Sequence, residues 1–145
     1  MGNVTIYFNN ESILVFILRV ILGTLFFFQG YDKVFKVKID GVIEFFRNES
    51  RHVKIPEFIL KSSAYFTSYA ELIGGTLLIL GLFKNYALYL LGFDLIIVVG
   101  AFSMLKPMWD VNLLFPRLIL LGILLFLPSK WDILSLDFII NYLNK

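Results

Sequence analysis

The sequence predicts an all-α integral membrane fold: four antiparallel transmembrane helices in a bundle, with short interfacial helices in the first loop and at the C-terminus. Three observations carry that prediction. Of the 145 residues, 59% are apolar, where a soluble domain has roughly 45–50%, and mean hydropathy is +0.82. Four separate segments reach the length of about 20 apolar residues that a bilayer crossing needs. Two of the three connections between them are short, which makes sequential helices antiparallel neighbours. The length holds one domain, residues 1–145.

The first span is expected over 12–31. Met1 to Asn10 holds no lysine or arginine, and Arg19 interrupts the apolar run. A cleaved signal peptide is therefore not expected, and Ile6 breaks the myristoylation pattern. The long connection from Asp32 to Ser62 is not low in complexity. Ile39, Val42, Ile43 and Phe46 recur at i, i+3, i+4 and i+7, predicting an amphipathic helix too short to span, lying in the interface. Pro56 reads as the first position of a helix running into the second span, 64–83. The third span is expected over 86–105, stopped by Pro107. The fourth is expected over 111–127, with Pro116 in its first turns and Pro128 at its end. Residues 133–143 read as a second interfacial helix. Trp109 and Trp131 are expected as interfacial anchors at opposite faces.

Orientation follows from the basic residues. Lys33, Lys36, Lys38, Arg47, Arg51, Lys54, Lys61 and Lys106 fall on one side, and Lys84, Lys130 and Lys145 on the other. The positive-inside rule places the long loop in the cytoplasm and both termini outside. The Phe, Ile, Asn and Lys bias suggests a bacterial chain. The glycosylation-type triplets at Asn10 and Asn48 then read as chance, and the basic loop as a contact for anionic headgroups.

Composition also excludes chemistry. The net charge of +2 argues for no nucleic-acid partner. With no cysteine and one histidine, His52, the chain has no disulfide, no thiolate or multi-histidine metal site and no bis-histidine haem. No metal and no intrinsic cofactor is expected, so a redox role needs a carrier borrowed from a ligand or partner. His52, beside Arg51 and Lys54, reads as an exposed loop residue.

Each span carries one strongly ionisable residue: Arg19, Glu71, Asp94 and Arg117. A lone charge at the bilayer centre costs ~2.5–3.5 kcal/mol on the insertion scale, so buried pairs are expected. At 1.5 Å of rise per residue, Arg19 and Asp94 lie ~10 and ~12 Å below the terminus-side face, and Glu71 and Arg117 ~10 and ~9 Å from the loop-side face. Depth thus predicts two layers, Arg19 with Asp94 and Glu71 with Arg117. An Arg19–Glu71 pair is the alternative, across a vertical gap of ~10 Å. Gly23, Gly30 and Lys33 share the Arg19 stripe at +4, +11 and +14, and Gly74 and Gly75 lie one turn from Glu71; small residues such as these glycines are expected at helix-packing faces. The balanced charges read equally well as register-fixing pairs and as a ligand or proton site.

The motifs are Leu18-Arg19-Val20 with Gly23, then Gln29-Gly30-Tyr31-Asp32-Lys33, then Glu71-Leu72-Ile73-Gly74-Gly75 with Leu80-Gly81-Leu82, and Trp131-Asp132-Ile133-Leu134-Ser135-Leu136-Asp137 at the end. In order and spacing they resemble the DoxX family of small four-span membrane proteins, over about Leu18 to Ile139. Gln29 stands where many members have histidine, and Asp94 and Arg117 match no position of the family pattern. The resemblance implies an inner-membrane protein. Relatives include the membrane subunit of a thiosulfate:quinone oxidoreductase and members of redox-stress complexes; substrate chemistry does not transfer.

Three functions are weighed. The first is a redox-linked, quinone-associated subunit of a membrane complex, an oxidoreductase subunit rather than a stand-alone enzyme. A quinone needs donors for its carbonyls and an apolar channel for its tail. Arg19, Gln29, Lys33 and Glu71 are the binding candidates, with Tyr31 beside them and Phe26, Phe27, Phe28, Phe66 and Tyr69 as ring contacts. The second is a structural or assembly subunit, bound to other membrane proteins or to copies of itself, with Asp137 and the C-terminal helix as a dock. The third, ranked last, is a small transporter or proton channel, for which the Gly74–Gly75 pair is the one interruption of note.

Overall fold

The computed structural model describes residues 9–50, 54–105 and 114–144, and within them it is helical throughout, with no strand. The helices are α1 (Asn10–Tyr31), α2 (Lys38–Glu49), α3 (Glu57–Leu80), α4 (Lys84–Leu105), α5 (Phe115–Phe126) and α6 (Leu136–Leu143). α1 packs along α3, α3 on α4, α4 on α5, and α5 returns to α1. α2 lies across α3. By length and composition, α1 with its extension to Lys36 and the stretch of α4 from Lys84 to Ala101 are able to cross a membrane. α5 is apolar but shorter.

α1 does not stop at Tyr31. It runs on through a wider π turn, Asp32–Lys36, closed by Val37 N–H donating to the Asp32 carbonyl at 2.8 Å. Lys36 pairs with Asp32 at 2.7 Å along this turn. Lys38 then takes a left-handed φ of 63°, rare for a side chain with a Cβ, and the chain turns into α2. That helix buries Val42 and Ile43 against Ala64 of α3, with Ile39 and Phe46 alongside. This is the apolar stripe read from the sequence.

Two expected boundaries move. Pro56 is the cap rather than the first residue of α3: its ψ of 136° is extended, and its carbonyl accepts from Ile59 N–H at 2.9 Å. The C-terminal helix begins at Leu136, because the Ser135 hydroxyl accepts from Phe138 N–H at 3.2 Å and caps it there. Arg47 of α2 bonds to Glu57 at the start of α3, tying the ends of the loop together. That guanidinium holds the Glu57 carboxyl below the usual carboxylate range.

The core follows from helical periodicity. Val15, Arg19, Leu22 and Phe26 form one buried stripe of α1. Its apolar members meet Leu78, Leu88, Leu91, Leu95, Leu121 and Leu124. α1 and α3 approach closely through glycine. A Cβ at Gly30 would run into the Leu72 backbone, and one at Gly75 into that of Phe27. A Cβ at Gly23 would meet Ile79 at 2.9 Å, and one at Gly74 the Leu91 side chain at 2.8 Å. Gly81 ends α3 with φ 69°; Leu82 N–H donates to the Leu77 carbonyl at 2.9 Å and Gly81 N–H to that of Leu78 at 3.1 Å, a Schellman closure. Trp131 packs half-buried against this core. Trp109 and Pro107 lie outside the described residues.

Candidate functional site

The four charges expected inside the spans do not form the two expected layers. Arg19 turns to the terminus side, where its Nε lies 3.3 Å from Asp132 Oδ1. The same guanidinium donates to the carbonyls of Leu78, of Ile79 at 2.9 Å, and of Leu134 at 2.8 Å. Those first two carbonyls end α3, so the cation sits at the negative end of that helix dipole. Lys84 joins from α4, its Nζ 3.6 Å from Asp132 Oδ2. Arg19, Asp132 and Lys84 are all nearly inaccessible. Asp137, read as a docking group, is half-buried and engaged within the chain. Its Oδ2 accepts from Lys84 N–H at 3.2 Å, and its own N–H donates to the Gly81 carbonyl at 3.1 Å. This cluster clamps the C-terminal segment onto the α3–α4 turn. Arg19 is occupied by protein partners on several sides, which separates it from the other ligand candidates.

On the opposite side, Glu71 pairs with Lys33 rather than Arg117. Lys33 Nζ lies 2.8 Å from Oε1 and 2.7 Å from Oε2. Glu71 is 1% exposed and the lysine 19%. The reason for the mispairing is the π turn. With α1 ended at Tyr31, Lys33 belongs to the loop; with the turn in place, it stands one helical turn beyond Gln29 and reaches α3. Asp132 was missed because it lies outside every span. Its signal was the depth argument itself, which already set Arg19 near the terminus-side face.

Arg117 is half-buried, its guanidinium carbon 5.7 Å from the centre of the Phe26 ring. Asp94 is fully buried, and among the described residues neither of its carboxyl oxygens has a hydrogen-bond partner. Glu71, Lys33 and Arg117 are its charged neighbours.

Beside the Lys33–Glu71 pair lies a cavity of about 290 Å³. Gln29 and Lys33 of α1 form its polar wall. Val42, Phe45 and Phe46 of α2, with Val98 and Ala101 of α4, form its apolar wall. The size and the ratio of apolar to polar lining suit an amphiphilic small molecule. The aromatic rings come from α2, not from the residues expected. Phe26 is buried in the core, Phe66 packs edge-to-face on Phe93 at 5.5 Å, and Phe28 and Tyr69 face outward. Periodicity had marked α2 as interfacial, but nothing in it told which rings would line a cavity with Gln29. Among the described residues no group of three His, Cys, Asp or Glu side chains is gathered to hold a metal ion.

No curated relative and no solved structure matches the chain. The family model DoxX matches residues 14–105. The match takes in most of α1, the Lys33–Glu71 pair, Asp94 and every wall of the cavity, and it stops before Arg117 and the C-terminal motif. It covers most of the chain, and this protein belongs to the DoxX family.

Proposed function

We propose that this chain is a four-span inner-membrane subunit that holds a quinone-type amphiphile beside the Lys33–Glu71 pair. The observation that carries the reading is the cavity between α1, α2 and α4. It joins polar groups at one wall, Gln29 and Lys33, to an apolar wall of Val42, Phe45, Phe46 and Val98. Such a wall suits a prenyl-type tail, and the polar groups suit an oxygenated ring. α3 and α5 serve as the two further spans, with α2 as an interfacial element. The π turn is a further support, since such turns occur at functional sites. The basic loop side is cytoplasmic in this reading. Redox linkage comes through the bound molecule and a partner protein, since the chain carries no cysteine.

The test is gentle extraction and native mass spectrometry, followed by thermal shift with a short-tailed quinone. A co-purified quinone mass, and a shift abolished by Val98→Trp, are expected. A quinone-free protein whose melting is indifferent to added quinone would sink the reading.

An assembly role is the second reading, favoured by α6. It has no buried residue, and Leu136, Ile140 and Leu143 stand exposed along it. A protein stable only with a bound partner polypeptide would favour this reading.

A further inference from the structure

The three walls of the cavity are held unequally. α1 is fixed at Gly30, where the Leu72 backbone of α3 leaves no room for a Cβ, and at Lys33, which Glu71 holds. On α4, Val98 belongs to the main hydrophobic core with Leu88, Leu91 and Leu95. The α2 wall has no share in that core. Its Val42 and Ile43 form a separate small cluster with Ala64 of α3. A satellite with few buried contacts opens at lower cost than the core. Both ends of α2 are suited to movement. At its start the chain leaves the π turn through Val37 and Lys38, and Lys38 holds a left-handed φ of 63°. That conformation is unfavourable for a residue with a Cβ. At its end Arg47 bonds to Glu57, which Lys61 also approaches at 3.7 Å, and all three side chains are exposed. Exposed ion pairs are weak ties. Val37 and Phe45 line the cavity and are exposed, so its mouth lies along α2, whereas Val42 and Val98 line it and are buried.

We infer that α2 is a hinged lid over the cavity, turning at Val37 and Lys38 and latched by Arg47 on Glu57. This rests on the proposed function, in which that cavity receives the amphiphile. Swinging α2 off Ala64 widens the gap to α4 and returns Lys38 to an ordinary backbone conformation. A ring with an apolar tail then enters from the side of the bundle, and closure seals Val42 and Phe46 over it. The closed lid is stabilised by the Val42–Ile43 cluster and the latch, and it is opposed by the strain at Lys38.

The chain has no cysteine, so a single introduced thiol reports opening. Val42→Cys in the full chain, in mild detergent, is labelled with N-ethylmaleimide, with Leu91→Cys in the bundle core as the reference. Val42→Cys is expected to label at least about 10-fold faster than the reference, since local opening costs less than opening the core. Adding Glu57→Gln speeds labelling about 2- to 5-fold, the range of an exposed ion pair. Adding Lys38→Gly slows it roughly 5- to 30-fold, because glycine removes the left-handed strain from the closed lid alone. A decyl-tailed quinone at about ten times its dissociation constant slows it about 10-fold, as a ligand held only by the closed lid must. Val98→Cys, on the facing wall, gives the same readings should Val42→Cys not fold. A rate no faster than the reference, or one that neither Glu57→Gln nor Lys38→Gly changes, overturns the lid, whether or not quinone raises the melting temperature. Labelling that responds to both substitutions but ignores quinone keeps the lid and overturns the quinone reading.

Discussion

Arg19 and Asp132 meet at 3.3 Å, though one lies within the first helix and the other follows the last apolar span. The pair fastens the end of the chain to its beginning. Through the Leu78 and Ile79 carbonyls it also closes the C-terminus of α3. Removing one partner of a buried pair leaves an uncompensated charge, a loss of about 3–5 kcal/mol. Arg19→Leu and Asp132→Leu are each expected to lower the thermal midpoint in detergent sharply. Arg19→Lys should recover little, because one ammonium cannot span three carbonyls and a carboxylate. A midpoint unchanged in Arg19→Leu would show that the clamp is not a stabilising feature.

The Lys33–Glu71 pair gives a swap test. Lys33→Glu and Glu71→Lys each set like charges together in the bundle, costing about 3–5 kcal/mol. The double exchange is expected to restore part of that loss. Exchanging Arg19 with Asp94 is expected to restore nothing, since Arg19 is bonded elsewhere. Folded yield and thermal midpoint in detergent read both results. Rescue by the second exchange, without rescue by the first, would reverse the pairing described.

Glycine contacts divide into two classes. Gly30→Ala and Gly75→Ala drive a methyl into the backbone of the facing helix and are expected to cost about 1–3 kcal/mol through separation of α1 from α3. Gly100→Ala and Gly122→Ala meet nothing within 4 Å. They should be neutral or stabilise by up to about 1 kcal/mol, the helix-propensity gain. Equal effects at all four positions in a thermal series would refute the close approach.

The Arg47–Glu57 contact should respond to pH. Arg47 holds Glu57 below its ordinary carboxylate value. Its stabilisation is therefore present above the unfolded carboxylate range and fades as pH falls through the depressed folded value. Both groups are exposed, so the effect is small and weakens in salt. The hydrogen-exchange protection of α2, taken relative to the intrinsic rate at each pH, is expected to fall toward acid in the parent and to lose that dependence in Glu57→Gln. The same slope in both would show that α2 is held by Val42 and Ile43 alone.

Patterns of period and length were enough to find α2, α4 and the tight α3–α4 turn. They rest on burial and steric rules that act within about 20 residues. The stripe Ile39, Val42, Ile43, Phe46 packs on α3 as its spacing predicts, because an amphipathic helix has one apolar side to hide. The candidate site was legible in part. Gln29, Lys33 and Glu71 carried the right chemistry, but their relation depended on where α1 ends. The Arg19–Gly30–Lys33 stripe already pointed Lys33 inward, but a π turn leaves no mark in hydropathy, and it is this turn that carries Lys33 to Glu71 of α3.

The sequence by itself determined that this chain is apolar, helical and without cysteine, and that charges inside it must find partners. Those are sums over residues and need no geometry. Only the tertiary structure decided which partners. Axial rise gives height but not direction around the bundle, and it weighed only the charges inside the expected spans. The glycine contacts that set the α1–α3 approach and the left-handed Gly81 and Lys38 that turn the chain fixed that direction. They sent Arg19 to Asp132 and Lys33 to Glu71.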